Sequence, residues 1–165
     1  MYKLLLNDKF ESLNQVISFL IKENKTIATA ESCTGGFIST CLTSKSGSSN
    51  YFNGSIVAYN NKIKNQFLNI STDTILNKGV VSKEVAESMS KNVLKKFNVD
   101  YGFSTTGYVD VFKFDEKKNT DLYAWISISS YLKTSSKLVE FSDDRLKNIF
   151  NVSNQIFKLF LKDFT

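Results

Sequence analysis

The stretch that decides the fold runs Thr26-Ile27-Ala28-Thr29-Ala30-Glu31-Ser32-Cys33-Thr34-Gly35-Gly36-Phe37-Ile38-Ser39-Thr40-Cys41-Leu42. Its first five residues are small or β-branched and follow the polar break Glu23-Asn24-Lys25, which predicts a strand over residues 26–30. The paired glycines predict a tight turn. Phe37, Ile38, Cys41 and Leu42 then lie three to four apart, which predicts a helix starting near Ser32 to Thr34 and ending before Ser46-Gly47. Strand, turn and helix in direct succession form the repeating unit of an α/β domain.

The same unit recurs on either side. Upstream, Phe10, Leu13, Val16, Ile17 and Leu20 recur at helical spacing over about residues 8 to 23, with Asp8 and Glu11 at the end where the helix dipole favours acids. Downstream, residues 54–59 read as a second strand and residues 60–68 as a short helix carrying Lys62 and Lys64. Ser82 is placed to cap a longer helix with Val85, Met89, Val93 and Phe97 down one face. Residues 101–106 read as a third strand ending at Gly107, and a charged segment from Asp110 to Asp121 follows. Two further strands are predicted over residues 122–129 and about 137–141. A last helix begins at Asp143, with Leu146, Ile149, Phe150, Ile156, Phe157 and Phe160 facing inward. Alternating strands and helices followed by two successive strands predict a three-layer α/β/α sandwich around a mixed sheet. At 165 residues, and with 42% hydrophobic content, this is one domain.

Composition narrows the chemistry. The chain has no histidine and no proline, so Ser-His-Asp and Cys-His catalysis and His-containing zinc sites are excluded. Cys33 and Cys41 are too few for a four-thiolate site and are not spaced as CxxC, which points to no metal and to a reduced, cytoplasmic setting. No apolar run is long enough to cross a membrane. The net charge of +5 comes from twenty Lys and the single Arg145, and a surplus built from lysine argues against sequence-specific reading of nucleic acid. Pairs such as Lys62/Lys64, Lys95/Lys96 and Lys117/Lys118 read as solvated surface.

In open α/β sheets ligands sit at the carboxyl ends of the strands, so the segments after Ala30, Tyr59 and Thr106 should converge on one crevice. The first brings Glu31, Ser32, Cys33, Thr34, Gly35 and Gly36 to a helix start, where unpaired N–H groups suit a phosphate or an oxyanion. The competing reading is that Ser32 or Thr34 merely caps the helix while the glycines ease packing. As a nucleophile Ser32 needs a base, and without histidine the candidates are Lys, Tyr or a carboxylate. Lys62 and Lys64 follow Tyr59 at the end of the neighbouring strand, and a lysine serves only if burial lowers its pKa. Cys33 is the rival nucleophile.

These residues fall into an ordered series: residues 29–36, then Gly47-Ser48-Ser49 with Tyr51-Phe52 and Gly54, Val57-Ala58-Tyr59-Asn60-Asn61 with Lys64, and Gly79-Val80-Val81-Ser82. The series resembles the CinA C-terminal domain family, also called competence/damage-inducible protein domains, over about residues 10 to 107 and more loosely beyond. The resemblance implies an α/β/α domain that in active members is a nicotinamide-nucleotide amidase, hydrolysing nicotinamide mononucleotide to the nicotinate nucleotide and ammonia. It places Ser32 as nucleophile and Lys64, assisted by Tyr59, as base. Glu31, Cys33, Thr34, Gly35, Gly36, Thr106, Gly107 and Arg145 fall on the substrate-binding side. It requires no cofactor, and it implies a small-molecule nucleotide as substrate and self-association into a homo-oligomer. Where the family continues into a glycine- and proline-rich pocket loop, this chain reads Thr105-Thr106-Gly107-Tyr108-Val109-Asp110-Val111-Phe112. That departure motivates an alternative, a non-catalytic relative that binds a nucleotide or a protein partner. The +5 charge motivates a third, a nucleic-acid-associated module.

Overall fold

The computed structural model describes residues 11–114, 117–119 and 121–165. The expected helix start at Asp8 and Phe10, and the side chains of the Lys117/Lys118 pair, lie outside the described residues. Helix α1 (Glu11–Lys22) buries Leu13, Val16, Ile17 and Leu20 along one stripe. Asn24 takes φ 51° and the Lys25 amide donates back to the Leu20 carbonyl, which stops the helix and turns the chain into strand β1 (Ile27–Glu31). Every residue of β1 is buried, as a strand at the centre of a covered sheet must be.

The remaining elements are α2 (Phe37–Leu42), a 3₁₀ turn (Ser48–Asn50), β2 (Phe52–Val57), α3 (Asn61–Leu68), α4 (Thr72–Lys78), α5 (Lys83–Phe97), β3 (Tyr101–Tyr108), β4 (Phe112–Phe114), β5 (Lys117–Asn119), β6 (Tyr123–Ser129), β7 (Thr134–Glu140) and α6 (Arg145–Phe164). The main sheet has the order β2-β1-β3-β6-β7. Strand β1 pairs in parallel with β2 and β3, whereas β3–β6 and β6–β7 are antiparallel, so the sheet is mixed as expected. Side chains alternate across it. Ile27 and Phe103 meet α1, α2 and α6 in one core, while Ala28 and Ala30 meet α5 residues Val85, Met89 and Val93 in the other. On that second face the sheet and α5 touch closely: a Cβ on Gly102 would lie 2.1 Å from the Ser90 carbonyl oxygen.

Several expectations shift. Helix α2 begins at Phe37 rather than near Ser32, because Gly35 and Gly36 take φ of 60° and 95° and keep residues 32–36 in a turn. Strand β2 ends at Val57 rather than Tyr59, β3 continues to Tyr108, and β7 starts at Thr134. Helix α4 and the β4–β5 hairpin appear where no element is predicted. Asp144 caps α6, its carboxylate accepting from the Lys147 amide. Leu146 therefore lies on the outer face, 77% exposed, instead of inward, whereas Ile156, Phe157 and Phe160 are buried. No helix among the described residues is long and apolar enough to cross a membrane.

Candidate active site

Strand β1 delivers Ser32 directly from its carboxyl end. The Ser32 amide still donates to the Thr105 carbonyl of β3 at 3.0 Å, so the nucleophile candidate is tied to the sheet before the chain turns away. Lys64 arrives from the neighbouring connection. Asn60 caps α3 through its side chain, accepting from the Ile63 amide at 3.0 Å, and Lys64 follows in the first turn. Its side chain runs inward and is only 1% exposed, so the expectation that the Lys62/Lys64 pair is solvated surface holds for Lys62 alone; two residues on, the helix turns Lys64 to the buried face. The Nζ donates to Ser32 Oγ at 3.0 Å and to the Ala58 carbonyl at 2.8 Å. Burial lowers the Lys64 pKa from 10.5 to about 8 by penalising the ammonium, while the nearby Cys33 sulfur pulls weakly in the opposite direction. Lys64 forms no ion pair among the described residues.

A cavity of about 370 Å³ opens over this pair. That volume is within the range of small-molecule sites. Ser32, Cys33, Tyr59, Lys64, Thr106, Gly107 and Arg145 all line it, so the three post-strand segments meet in one crevice. A wider groove of about 810 Å³ beside Ser82, Trp125 and Leu138 contains no buried titratable side chain and carries no comparable chemistry.

The other expected site residues sit differently. Glu31, Thr34, Gly35 and Gly36 do not line the cavity. The Glu31 carboxylate is fully buried and accepts from the amides of Gly36, Ile38 and Ser39, while the Gly35 amide donates to the Ser32 carbonyl. The helix start is thus occupied from within the protein. Among the described hydrogen bonds, none engages the amide of Thr34, while that of Cys33 faces its own sulfur. Tyr59 is 60% exposed at the mouth, and its hydroxyl accepts from Arg145 Nη2 at 2.8 Å; no described bond joins it to Lys64. Thr106 lines the wall but donates its hydroxyl to the Val80 carbonyl at 2.8 Å. Gly107 is needed for packing, since a Cβ there would lie 2.4 Å from the Ala124 Cβ. Burial pushes the Cys33 thiol up to about 12, which leaves it a packing residue rather than a thiolate. Lys62 is exposed and takes no part in the site.

Some participants carry no signal in a single sequence. The Ala58 carbonyl, which holds Lys64, is a backbone group, and Asn61 lines the cavity only because α3 starts there. Tyr108, Val109, Asp110 and Val111 form one wall.

A family model described as the CinA C-terminal domain matches residues 10–164. A CinA-like protein of Flavobacterium psychrophilum is 40% identical over 154 residues, covering 93% of this chain and 37% of that protein. One of Cytophaga hutchinsonii is 41% identical over 130 residues, covering 79% and 31%. The chain thus spans about a third of the length of these curated relatives. The solved competence damage-inducible protein A of Klebsiella pneumoniae superposes with TM-score 0.86 at 20% identity, covering 96% of this chain and all of that one. At that identity the likeness is one of fold.

Proposed function

Since the chain belongs to the CinA C-terminal domain family, we propose for it an amidohydrolase reaction: deamidation of nicotinamide mononucleotide to nicotinate mononucleotide and ammonia. One observation carries the reading. A buried lysine with its pKa lowered to about 8 stands 3.0 Å from a serine hydroxyl at the end of a cavity. A solvated lysine has no reason to be held there, and a neutral one is a base.

In this reaction neutral Lys64 takes the Ser32 proton as Oγ attacks the carboxamide carbon. The resulting ammonium then protonates the departing nitrogen, so that ammonia leaves and an ester to Ser32 remains. Water attacks that ester as Lys64 takes one of its protons, Lys64 returns that proton to Ser32 Oγ as the acyl–oxygen bond breaks, and the released acid loses its proton to solvent and departs as the carboxylate. The oxyanion falls to the amide of Thr34, because those of Gly35 and Gly36 are taken and that of Cys33 faces its own sulfur. Tyr59 and Arg145 stand at the mouth, where a guanidinium and a hydroxyl suit the nucleotide phosphate. On this reading Tyr59 binds rather than assists the base. Two free, buried thiols are consistent with a reducing compartment such as the cytoplasm.

The test is ammonia release from nicotinamide mononucleotide by the folded protein beside Ser32→Ala and Lys64→Ala. Turnover by the wild type alone is expected. No release by the wild type at high enzyme concentration overturns the amidase reading and favours a second one, a non-catalytic binding domain. That second reading is motivated by the bulky Tyr108, Val109 and Val111 on the cavity wall. It predicts calorimetric binding of the nucleotide without turnover.

A further inference from the structure

We propose that Glu31 is a positioning residue for Ser32: its buried carboxylate ties the turn that carries the nucleophile to the first residues of α2, and it touches no substrate. The inference rests on the Ser32–Lys64 reading of the site. Lys64 and Glu31 are the two charged side chains buried among the described residues, and only Lys64 has a place in the reaction above.

Glu31 is the last residue of β1 and immediately precedes Ser32, yet it is 0% exposed and does not line the cavity. Strand alternation explains this, because Glu31 points with Ile27 and Thr29 toward α2. Its Oε2 accepts from Thr34 Oγ1 at 2.7 Å, the Gly36 amide at 3.0 Å and the Ile38 amide at 3.1 Å. Its Oε1 accepts from the Ser39 amide at 2.8 Å and the Ser39 hydroxyl, with the Thr29 hydroxyl at 3.3 Å. The Thr29 hydroxyl has one proton and gives it to Ser55 Oγ at 2.7 Å, so five donors converge on a group with about four lone-pair sites. The carboxylate has no ion-pair partner among the described residues, so these dipoles alone offset its burial.

The donors bracket the turn. Thr34 and Gly36 belong to it, Ile38 and Ser39 to the helix beyond, and Thr34 Oγ1 is also 2.8 Å from Thr105 Oγ1. Thr105 in turn accepts the Ser32 amide. Ser32 is thus clamped between a strand bond behind it and a carboxylate-bound turn ahead of it. A gap of 3.0 Å to Lys64 leaves little tolerance, since a shift of about 1 Å in a reacting group costs on the order of 10²-fold in rate.

Glu31→Gln keeps the shape but turns one acceptor into a donor facing other donors. Expected are a fall in kcat for ammonia release of about 10²-fold, KM within about twofold, and a pH–rate midpoint that stays near 8. Labelling of Ser32 by a fluorophosphonate should slow in parallel, and Glu31→Asp should recover less than the wild type in both readouts. In the Glu31→Gln crystal structure the Ser32 Oγ to Lys64 Nζ separation should exceed hydrogen-bond reach. Unchanged labelling and an unchanged separation overturn the inference, as does a rise in KM at constant kcat, which would make Glu31 a binding residue. If Glu31→Gln does not fold, Thr34→Val, which removes one donor, decides by the same separation. Wild-type protein that labels but releases no ammonia refutes the substrate reading while leaving this comparison intact.

Discussion

Titrating Lys64 tests the site through two independent properties. Its pKa is about 8 in the folded protein and 10.5 as an ordinary lysine, a difference equivalent to about 3 kcal/mol. Between these values the unfolded chain holds a proton that the folded chain has released, so stability must rise with pH across that window. Below pH 8 the burial penalty is fully present, and it is relieved as pH passes through 10.5. Lys64→Met removes the amine and keeps the bulk. Denaturant unfolding of both proteins from pH 7 to 10.5 should therefore show the wild type gaining up to about 3 kcal/mol relative to the variant, the titrations of other groups cancelling in the difference. At pH 7 the variant loses the bonds to Ser32 and Ala58, worth about 1 kcal/mol each, but also loses the penalty, so its stability should lie within about 2 kcal/mol of the wild type. Activity should behave otherwise. The neutral amine is about a tenth of the population at pH 7, so kcat/KM should rise with unit slope and level off above about pH 8, and Lys64→Met should be inactive throughout. A stability difference that is flat with pH, or a rate midpoint above pH 10, would refute the desolvated-lysine argument.

Ser32→Ala should lower ammonia release by about 10³-fold or more while the variant remains folded by circular dichroism. With thiols pushed up to about 12, Cys33 and Cys41 should resist iodoacetamide at pH 8 in the native state and react in denaturant, as followed by intact-mass measurement; rapid native alkylation of Cys33 would reopen its claim as nucleophile. Arg145→Ala should raise KM for nicotinamide mononucleotide about tenfold or more with a smaller change in kcat, through loss of a charge-assisted contact and of the bond that holds Tyr59. Gly102→Ala forces a Cβ against the Ser90 carbonyl and Leu94, and should destabilise by about 3 kcal/mol, seen as a lowered Tm.

What could be read from the chain follows from how local each determinant is. The strand before Ser32 and the capping of α5 by Ser82 depend on short patterns, and both stand in the structure, whereas Lys64 reads by composition as solvated surface and is singled out only by the family resemblance. Helix α4 escapes because it buries Ile75 while Leu76 is 75% exposed, so it has no apolar stripe; its signals are the Ser71 cap and Gly79 beyond its end. The β4–β5 hairpin lies in a charged segment whose alternation is confined to Phe112-Lys113-Phe114, too short to read as a strand. The Tyr59–Arg145 contact joins residues 86 apart, and no spacing rule spans that distance. Nor does a residue's type reveal the face it takes: the polar cluster after Ala30 looks like one binding surface, but alternation sends Glu31 into the protein and Ser32 toward the cavity.

That division is also what permits a lysine to act in place of histidine. A buried carboxylate beside Lys64 would restore its pKa toward 10.5 or above and fill the amine with a proton at neutral pH. Glu31 is one residue from Ser32 and chemically able to do this, yet its oxygens are committed to the turn and to α2, and it forms no ion pair with Lys64. Among the described residues Lys64 instead donates to neutral acceptors, the Ser32 hydroxyl and the Ala58 carbonyl, which offset the burial of an ammonium less than a counter-ion would. The two buried charges flanking Ser32 are thus satisfied to opposite degrees, one by five donors and one by two acceptors. In the proposed reaction the fully satisfied group fixes position and the poorly satisfied one moves the proton. Any change that frees Glu31 from its donors threatens both at once, by loosening the turn and by offering Lys64 a counter-ion.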